Sequence, residues 1–146
     1  MSSHLISQTL KVLGSECLVT TASISNEEEY KKHVKEINGS ITESDGTKVA
    51  TYADTPSVSY SDFQAKYPEI VKSEALNLLR YLRDKKLNEC DWVVTKAQET
   101  GTTVSDEWKN YRQALRDLPS SANPKFLDTY EDNLDYTSFT WPTKPS

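Results

Sequence analysis

The feature that most constrains the fold is a stripe of large apolar side chains in residues 107–119, EWKNYRQALRDLP. The stripe repeats at intervals of three, four and three residues and consists of Trp108, Tyr111, Leu115 and Leu118. This repeat is typical of one face of an amphipathic α-helix. A short helix is marginal on its own, so the stripe predicts a second element that covers it.

A second helix is predicted over residues 68–90, PEIVKSEALNLLRYLRDKKLNEC. Its leucines fall on one half of the helical wheel, and its length matches that of the first helix. The two helices are therefore expected to form a helical hairpin. We expect Leu79, Leu82 and Leu87 to pack against Trp108, Tyr111 and Leu115, and Trp92 and Trp141 to close the ends.

Two arginines, Arg83 and Arg112, lie on or beside the apolar stripes. One interpretation packs each stem flat and leaves the charged head in water. The other is a bidentate ion pair that locks the hairpin. The candidate carboxylates for such a pair are Asp91, Glu107 and Asp117.

The N-terminal part has the pattern of a small α+β unit. Residues 16–24, ECLVTTASI, predict a strand, and residues 25–37 predict a helix with Ser25 and Glu28 as a capping box. Asn38-Gly39 is expected to end that helix. Asp45-Gly46 predicts a β-hairpin with a type I′ turn.

The predicted fold class is α+β: an N-terminal strand, helix and hairpin unit, then a C-terminal α-helical hairpin with an extended proline-rich tail. The predicted domains are residues 1–55, a linker over 56–68 and the helical-hairpin domain over 69–146. The acids of the tail do not have the calcium-loop spacing, so they predict a solvated loop. These acids are Asp128, Glu131, Asp132 and Asp135.

Composition excludes several functions. The 146 residues carry a formal net charge of −5, the isoelectric point is near 5.1 and the mean hydropathy is −0.68. These values argue against a nucleic-acid or membrane-surface partner. With no convincing signal peptide, the expectation is a soluble protein of a reducing cytoplasm. Cys17 and Cys90 are then expected to be free, buried thiols.

The sequence predicts no enzyme. His4 lies near the terminus and His33 in a lysine-rich segment, and neither has a nucleophile signature nearby. Only four glycines are present, and none forms a phosphate-binding loop. No cofactor and no metal site are expected.

Three segments resemble the phage tail assembly chaperone-like domain of tail-fibre assembly proteins: LRDKKLNECDW, EWKNYRQALRDLP and FTWPTKP. The resemblance covers roughly residues 76–146. The positions that match are Arg83, Leu87, Asp91 and Trp92; Trp108, Tyr111, Arg112, Leu115, Arg116 and Asp117; and Trp141, Pro142 and Pro145. The stretch between Pro119 and Trp141 is longer than the usual connection of the family.

The resemblance implies a bacteriophage protein that binds a tail or tail-fibre subunit, in the virion tail region or in the host cytoplasm during assembly. It leaves open a transient assembly factor and a permanent virion component, and a homo-oligomer such as a trimer or hexamer. A host-encoded interaction module is a third, less favoured interpretation. The candidate partner-binding residues are Phe139, Trp141, Pro142 and Pro145; alternatively, Trp141 folds back onto its own core.

Overall fold

A computed structural model describes residues 3–21, 23–53, 55–127 and 133–146. Its elements are α1 (Ser3–Val12), β1 (Cys17–Val19), α2 (Glu27–His33), β2 (Val34–Thr42), β3 (Lys48–Tyr52), α3 (Tyr60–Asn88), α4 (Trp92–Thr100) and α5 (Asp106–Ser121). The chain divides into an N-terminal unit, Met1–Val71, and a C-terminal unit, Lys72–Ser146. A small sheet followed by long helices confirms the predicted α+β class.

The sheet is antiparallel, with the order β1-β2-β3. β1 pairs with the start of β2, with Val19 opposite Val34, and β3 pairs with the rest of β2, with Ile41 opposite Val49. The predicted strand at 16–24 is therefore shorter than expected. The sequence analysis did not predict α1, although Leu5, Ile6, Thr9 and Leu10 form a buried face with helical spacing.

The predicted helix over residues 25–37 is wrong in its extent. Asn26, rather than Ser25, is the N-cap residue, and its side chain accepts a hydrogen bond from Glu29 N. The helix ends at His33, and β2 continues through Asn38 and Gly39. Val34 is fully buried at the start of β2, so pairing in the sheet overrides the local helical pattern.

The hairpin about Asp45-Gly46 is present, but the predicted type I′ turn is wrong. Among the described residues, positive φ occurs only at glycines, so Asp45 keeps a negative φ while Gly46 has φ +87°. Gly46 N donates to Glu43 O at 3.0 Å, and Glu43 N donates to Thr47 O at 2.8 Å. This is a longer loop in which only the glycine adopts the left-handed conformation.

The core of the N-terminal unit is built around Tyr30 and Phe63, each 1% exposed. Their ring centroids lie 5.3 Å apart, and Tyr30 Oη donates a 2.9 Å hydrogen bond to Val58 O. The other buried members are Ile6, Leu10, Ile24, Val34 and Val58. Burial and the negative charges of Cys17, Glu36 and Asp62 raise the pKa of Tyr30.

α3 begins at Tyr60, inside the range 56–68 that composition assigned to a linker. Ser59 supports this start, because its hydroxyl accepts from Asp62 N at 3.1 Å and donates to Asp62 Oδ2 at 2.6 Å. Pro68 lies within the helix. The division at Val71 and Lys72 also falls inside α3. The domain ranges stay a prediction.

In the C-terminal unit, α3 and α5 run antiparallel. Arg83 Nη1 donates to Arg116 O at 3.3 Å, and Arg112 Nη1 donates to Leu87 O at 3.2 Å. From Arg83 to Leu87 the chain advances four residues along α3, while the contacted position on α5 moves back four residues, from Arg116 to Arg112. Between them lies a further helix, α4, and Gly101, with φ +64°, ends it.

Two apolar cores fill the C-terminal unit. The first core contains Ala75, Leu79, Leu118, Leu134 and Phe139. The second core contains Cys90, Tyr111 and Leu115. Phe126 forms an isolated antiparallel bridge with Leu134. Residues 139–146 contain no helix or strand, and the extended course of the proline-rich tail stays a prediction.

Candidate functional site

An open groove of about 680 Å³ lies in the C-terminal unit. One wall belongs to α5 and contains Glu107, Asn110, Tyr111 and Ala114. The other wall is the C-terminal segment 142–146, including Pro142 and Pro145. Prolines and Ala114 provide apolar surface, while Glu107 and Lys144 place opposite charges on its walls. This chemistry suits a short amphipathic peptide segment.

The aromatic residues before this segment are anchored inside their own unit. Phe139 is 9% exposed and belongs to the first core. The partly buried ring of Trp141 packs against both cores, and its centroid lies 5.3 Å from that of Phe139 in an edge-on contact. Lys86 Nζ lies 4.9 Å from the centroid of Trp141. These contacts place the C-terminal segment along α5.

Of the predicted partner-binding residues, Pro142 and Pro145 line the groove, whereas Phe139 and Trp141 support it from within. The alternative in which Trp141 folds back onto its own core describes this arrangement. A role for any of the four in partner binding stays a prediction.

Arg112, in the middle of α5, links the end of α3 to the start of α4. Its Nη2 donates to Asp91 Oδ1 at 2.8 Å, and its Nη1 lies 3.0 Å from Cys90 Sγ and 3.2 Å from Leu87 O. Leu87 O lies in the last turn of α3, where it also accepts a hydrogen bond from Cys90 N at 3.1 Å, so Arg112 adds a charged donor to this carbonyl. Asp91 immediately precedes α4, so one guanidinium on α5 holds the α3–α4 turn.

The contacts of Arg112 stabilise the charged form of its guanidinium. Burial disfavours the charged form, but hydrogen bonds to Asp91 and Cys90 outweigh burial and raise the pKa of Arg112 above its usual value. Asp91 was among the predicted partners. The contact with Asp91 uses one nitrogen, because the second nitrogen binds Leu87 O and Cys90 Sγ.

Arg83 has a different partner from those considered in the sequence. Its Nε lies 2.7 Å from Oδ1 of the adjacent Asp84, and its Nη1 donates to Arg116 O. The side chain is 18% exposed, so the stem is packed while the head contacts α5. Asp117 instead accepts hydrogen bonds from Gln113.

The remaining predicted core residues separate into the two cores. Leu79 and Leu82 pack with Leu118 in the first core. Leu87 and Trp108 pack with the second core, which contains Tyr111 and Leu115. Leu79 and Leu82 therefore pack against the C-terminal end of α5. The prediction had placed them against Trp108, near the N-terminal end of α5.

Trp92 is the exposed member of an aromatic row. Its ring centroid lies 6.0 Å from that of Trp108, which lies 5.9 Å from Tyr111, and both contacts are edge-on. Trp92 is 53% exposed, and Lys96 Nζ lies 5.8 Å from its centroid. It therefore offers a large aromatic surface to solvent beside the turn that Arg112 holds.

Sequence reasoning missed the contribution of the segment after α5. Leu134 is 1% exposed in the first core, although it precedes Asp135 in the segment predicted as a solvated loop. α4 carried a detectable signal, because Val93 and Ala97 are both buried and four residues apart, ahead of Gly101.

The acidic segment is only partly within the described residues. Asp128, Glu131 and Asp132 lie outside them. Asp135 accepts hydrogen bonds from the hydroxyl and backbone of Thr137, which lower the pKa of its carboxyl. Cys17 and Cys90 are free thiols, and Cys90 is the buried one.

Comparison with protein families gives a match for the C-terminal part of the chain. The family described as phage tail assembly chaperone protein matches residues 76–146. The resemblance of the C-terminal half is thus confirmed, and the match contains both walls of the groove and all three arms of the Arg112 contact. No curated protein and no solved structure gave a significant match.

This match supports a role in phage tail assembly, which implies interaction with phage tail proteins. Such a role suggests the host cytoplasm during assembly, and a chaperone-family domain suggests a non-catalytic function. Within the part of the chain that the structure describes, no helix is both long enough and apolar enough to cross a membrane.

Proposed function

We propose that this protein binds a subunit of the phage tail or tail fibre through the groove between α5 and residues 142–146. The observation that carries the proposal is the groove itself, because it lies wholly within the residues that match the chaperone family. Its open shape and its walls of mixed apolar and polar residues suit a peptide segment of a larger protein.

In this proposal the protein acts by covering an exposed segment of the subunit that it binds. A subunit that has not yet trimerised or attached exposes strand edges and aromatic side chains, which promote aggregation. A groove that binds such a segment withholds it until assembly buries it elsewhere. The exposed ring of Trp92 provides a second contact on the same unit.

Filling the groove tests this proposal. Ala114 is exposed and lines the groove, so Ala114→Trp should block it without disturbing a buried core. The matched control is Ala65→Trp, because Ala65 is exposed on α3 within the N-terminal unit. Binding to purified, unassembled tail and tail-fibre subunits of the parent phage is measured by biolayer interferometry.

Ala114→Trp should weaken binding by at least about tenfold, since one well-placed contact contributes roughly 1.4 kcal/mol or more. Ala65→Trp should bind as the unmodified protein does. Equal binding by both variants would show that the groove is not the contact.

The alternative is that the protein is a permanent virion component. In that case it binds through the same groove and stays bound in the finished particle. Quantitative mass spectrometry of purified virions separates the two. A fixed copy number per particle, in multiples of three or six, supports residence in the tail. Abundance in infected lysate with absence from particles supports a transient assembly factor.

A further inference from the structure

The ribbon formed by the outer parts of β2 and β3 is only two strands wide. β1 pairs with residues 34–36 of β2, whereas β3 pairs with residues 37–42. Beyond β1, the described residues therefore place no third strand on either side of the ribbon. An isolated two-stranded hairpin is at best marginally stable in water.

Both faces of this ribbon carry exposed apolar residues. Ile41 is directly opposite Val49, and Ile37 is directly opposite Tyr52. Val49 and Tyr52 are three positions apart, so the two pairs lie on opposite faces. The side chains are 56% exposed for Ile41, 39% for Val49, 41% for Ile37 and 43% for Tyr52. The described residues therefore leave apolar side chains exposed on both faces of the ribbon.

The outer edge of β3 has backbone groups available for pairing. Glu43 N donates to Thr47 O, and Ala53 N donates to Glu36 O, so odd-numbered residues of β3 face β2. Since alternate residues of an antiparallel strand point to opposite edges, Lys48, Ala50 and Tyr52 direct their N–H and C=O groups outward. No proline interrupts this edge, and its single charge lies at one end, at Lys48.

We propose that β3 pairs antiparallel with β3 of a second copy of this chain, about a two-fold axis at Ala50, to form a continuous four-stranded β2-β3-β3-β2 sheet. The small side chain of Ala50 meets its own copy at the axis. The two alanines exchange both N–H to C=O hydrogen bonds, as an outward-facing pair in an antiparallel sheet does.

The residues of β3 complement one another in this register. Lys48 lies opposite Tyr52 of the second copy, so no like charges face each other and the lysine stem lies along a ring. Val49 lies opposite Thr51 of the second copy, which is a favourable β-branched pair. Moving the two-fold axis by two residues, from Ala50 to Lys48, would bring the two lysines together.

The self-complementary register of β3 favours a second copy over a tail subunit as the occupant of this edge. Residues 34–52 lie outside the family match at residues 76–146, so this pairing is independent of the proposed groove.

The unmodified full chain gives the first test. Sedimentation velocity across a concentration series should show a reversible monomer–dimer equilibrium. Hydrogen exchange at the same concentrations should show that the amides of Lys48, Ala50 and Tyr52 become protected as the dimer forms. A monomer at all concentrations, or a dimer in which these three amides exchange freely, would overturn the proposal.

Two proline variants then locate the edge. Ala50→Pro removes an outward N–H of β3 and leaves the hydrogen bonds between β2 and β3 in place. Ser40→Pro is its matched control, because Ser40 is opposite Ala50 and directs its N–H to the other edge of the ribbon. Far-UV circular dichroism checks that both variants are folded.

Ala50→Pro should raise the dissociation constant of the dimer by at least about tenfold, because both hydrogen bonds at the axis are lost. Ser40→Pro should dimerise as the unmodified chain does. The reverse pattern would assign the dimer to the other edge. Protection of β3 that requires added tail protein would identify a tail subunit as the occupant; both results contradict the proposed pairing.

Discussion

Arg112 on α5 and Asp91 at the start of α4 are joined by a 2.8 Å charge-assisted hydrogen bond. The Arg112 side chain is 11% exposed, whereas that of Asp91 is 59% exposed. The buried end of this pair also binds Leu87 O on α3. Arg112 therefore connects the helices mainly through its hydrogen bonds. Its ion pair with Asp91 is largely exposed to solvent.

We expect Arg112→Met to lower the free energy of unfolding by about 1–2 kcal/mol, because the Leu87 carbonyl loses a charged donor. Asp91→Asn should cost less than about 1 kcal/mol, since an exposed ion pair contributes little. Urea unfolding followed by circular dichroism measures both. A larger loss for Asp91→Asn than for Arg112→Met would show that the ion pair dominates.

Tyr30 predicts a loss of stability at high pH. Burial, together with nearby negative charges, raises its pKa in the folded protein, while an unfolded tyrosine titrates near pH 10. The folded state therefore binds its proton more tightly than the unfolded state does. The stabilisation is fully present below about pH 10 and is lost as pH rises toward the folded pKa, by about 1.4 kcal/mol per pH unit.

Urea unfolding at pH 8 and pH 11 checks this expectation. Tyr30→Phe is the control, because it cannot ionise and should show a smaller decrease between the two pH values. At pH 8 it should be less stable by roughly 1 kcal/mol, since Val58 O loses its donor. Equal pH dependence in both proteins would contradict the assignment.

The parts that the sequence predicted correctly are those with a long local pattern. The stripe on α5 extends over three turns, and α3 carries a matching apolar half, so both helices follow from periodicity. Local patterns failed where tertiary pairing decides the outcome. Residues 34–37 have the periodicity of a helix, yet burial of Val34 and pairing with β1 place them in a strand.

The groove could be predicted only in part. Pro142 and Pro145 were singled out from the sequence, but the wall formed by Asn110 and Ala114 could not be. It depends on which side of α5 the C-terminal segment follows, and the burial of Phe139 and Leu134 determines that path. Such contacts between distant segments leave no periodic signal.

The first core predicts a local effect on stability. Leu79 is fully buried, so Leu79→Ala should cost about 2–5 kcal/mol through lost burial and the cavity that remains. Leu127→Ala is the matched control in the same unit, because Leu127 is 37% exposed, and its cost should be below about 1 kcal/mol. Comparable losses in the two variants would contradict the assigned core.

The predicted domain division can be read from the same variant. If the two units unfold independently, Leu79→Ala should accelerate hydrogen exchange in residues 72–146 and leave the core around Phe63 unchanged. Phe63→Ala should do the reverse. Acceleration throughout the chain in either variant would show a single cooperative unit.

Trp92 predicts a loss of binding with little loss of stability. Its ring is half exposed and touches Trp108 only edge-on, so Trp92→Ala should lower the free energy of unfolding by no more than about 1 kcal/mol. Exposed tryptophans are frequent hot spots, and truncation of one typically costs about 2 kcal/mol of binding or more. We therefore expect binding to unassembled tail or tail-fibre subunits to weaken by roughly thirtyfold.

Tyr81→Ala is the control for Trp92→Ala. Tyr81 is 56% exposed on α3 in the same unit, and it likewise has a lysine over its ring, with Lys85 Nζ 4.5 Å from the centroid. The two variants thus remove similar aromatic surfaces at different places. If both weaken binding equally, the contact depends on exposed aromatic area in general; if only Trp92→Ala does, the contact includes the α3–α4 turn that Arg112 holds in place.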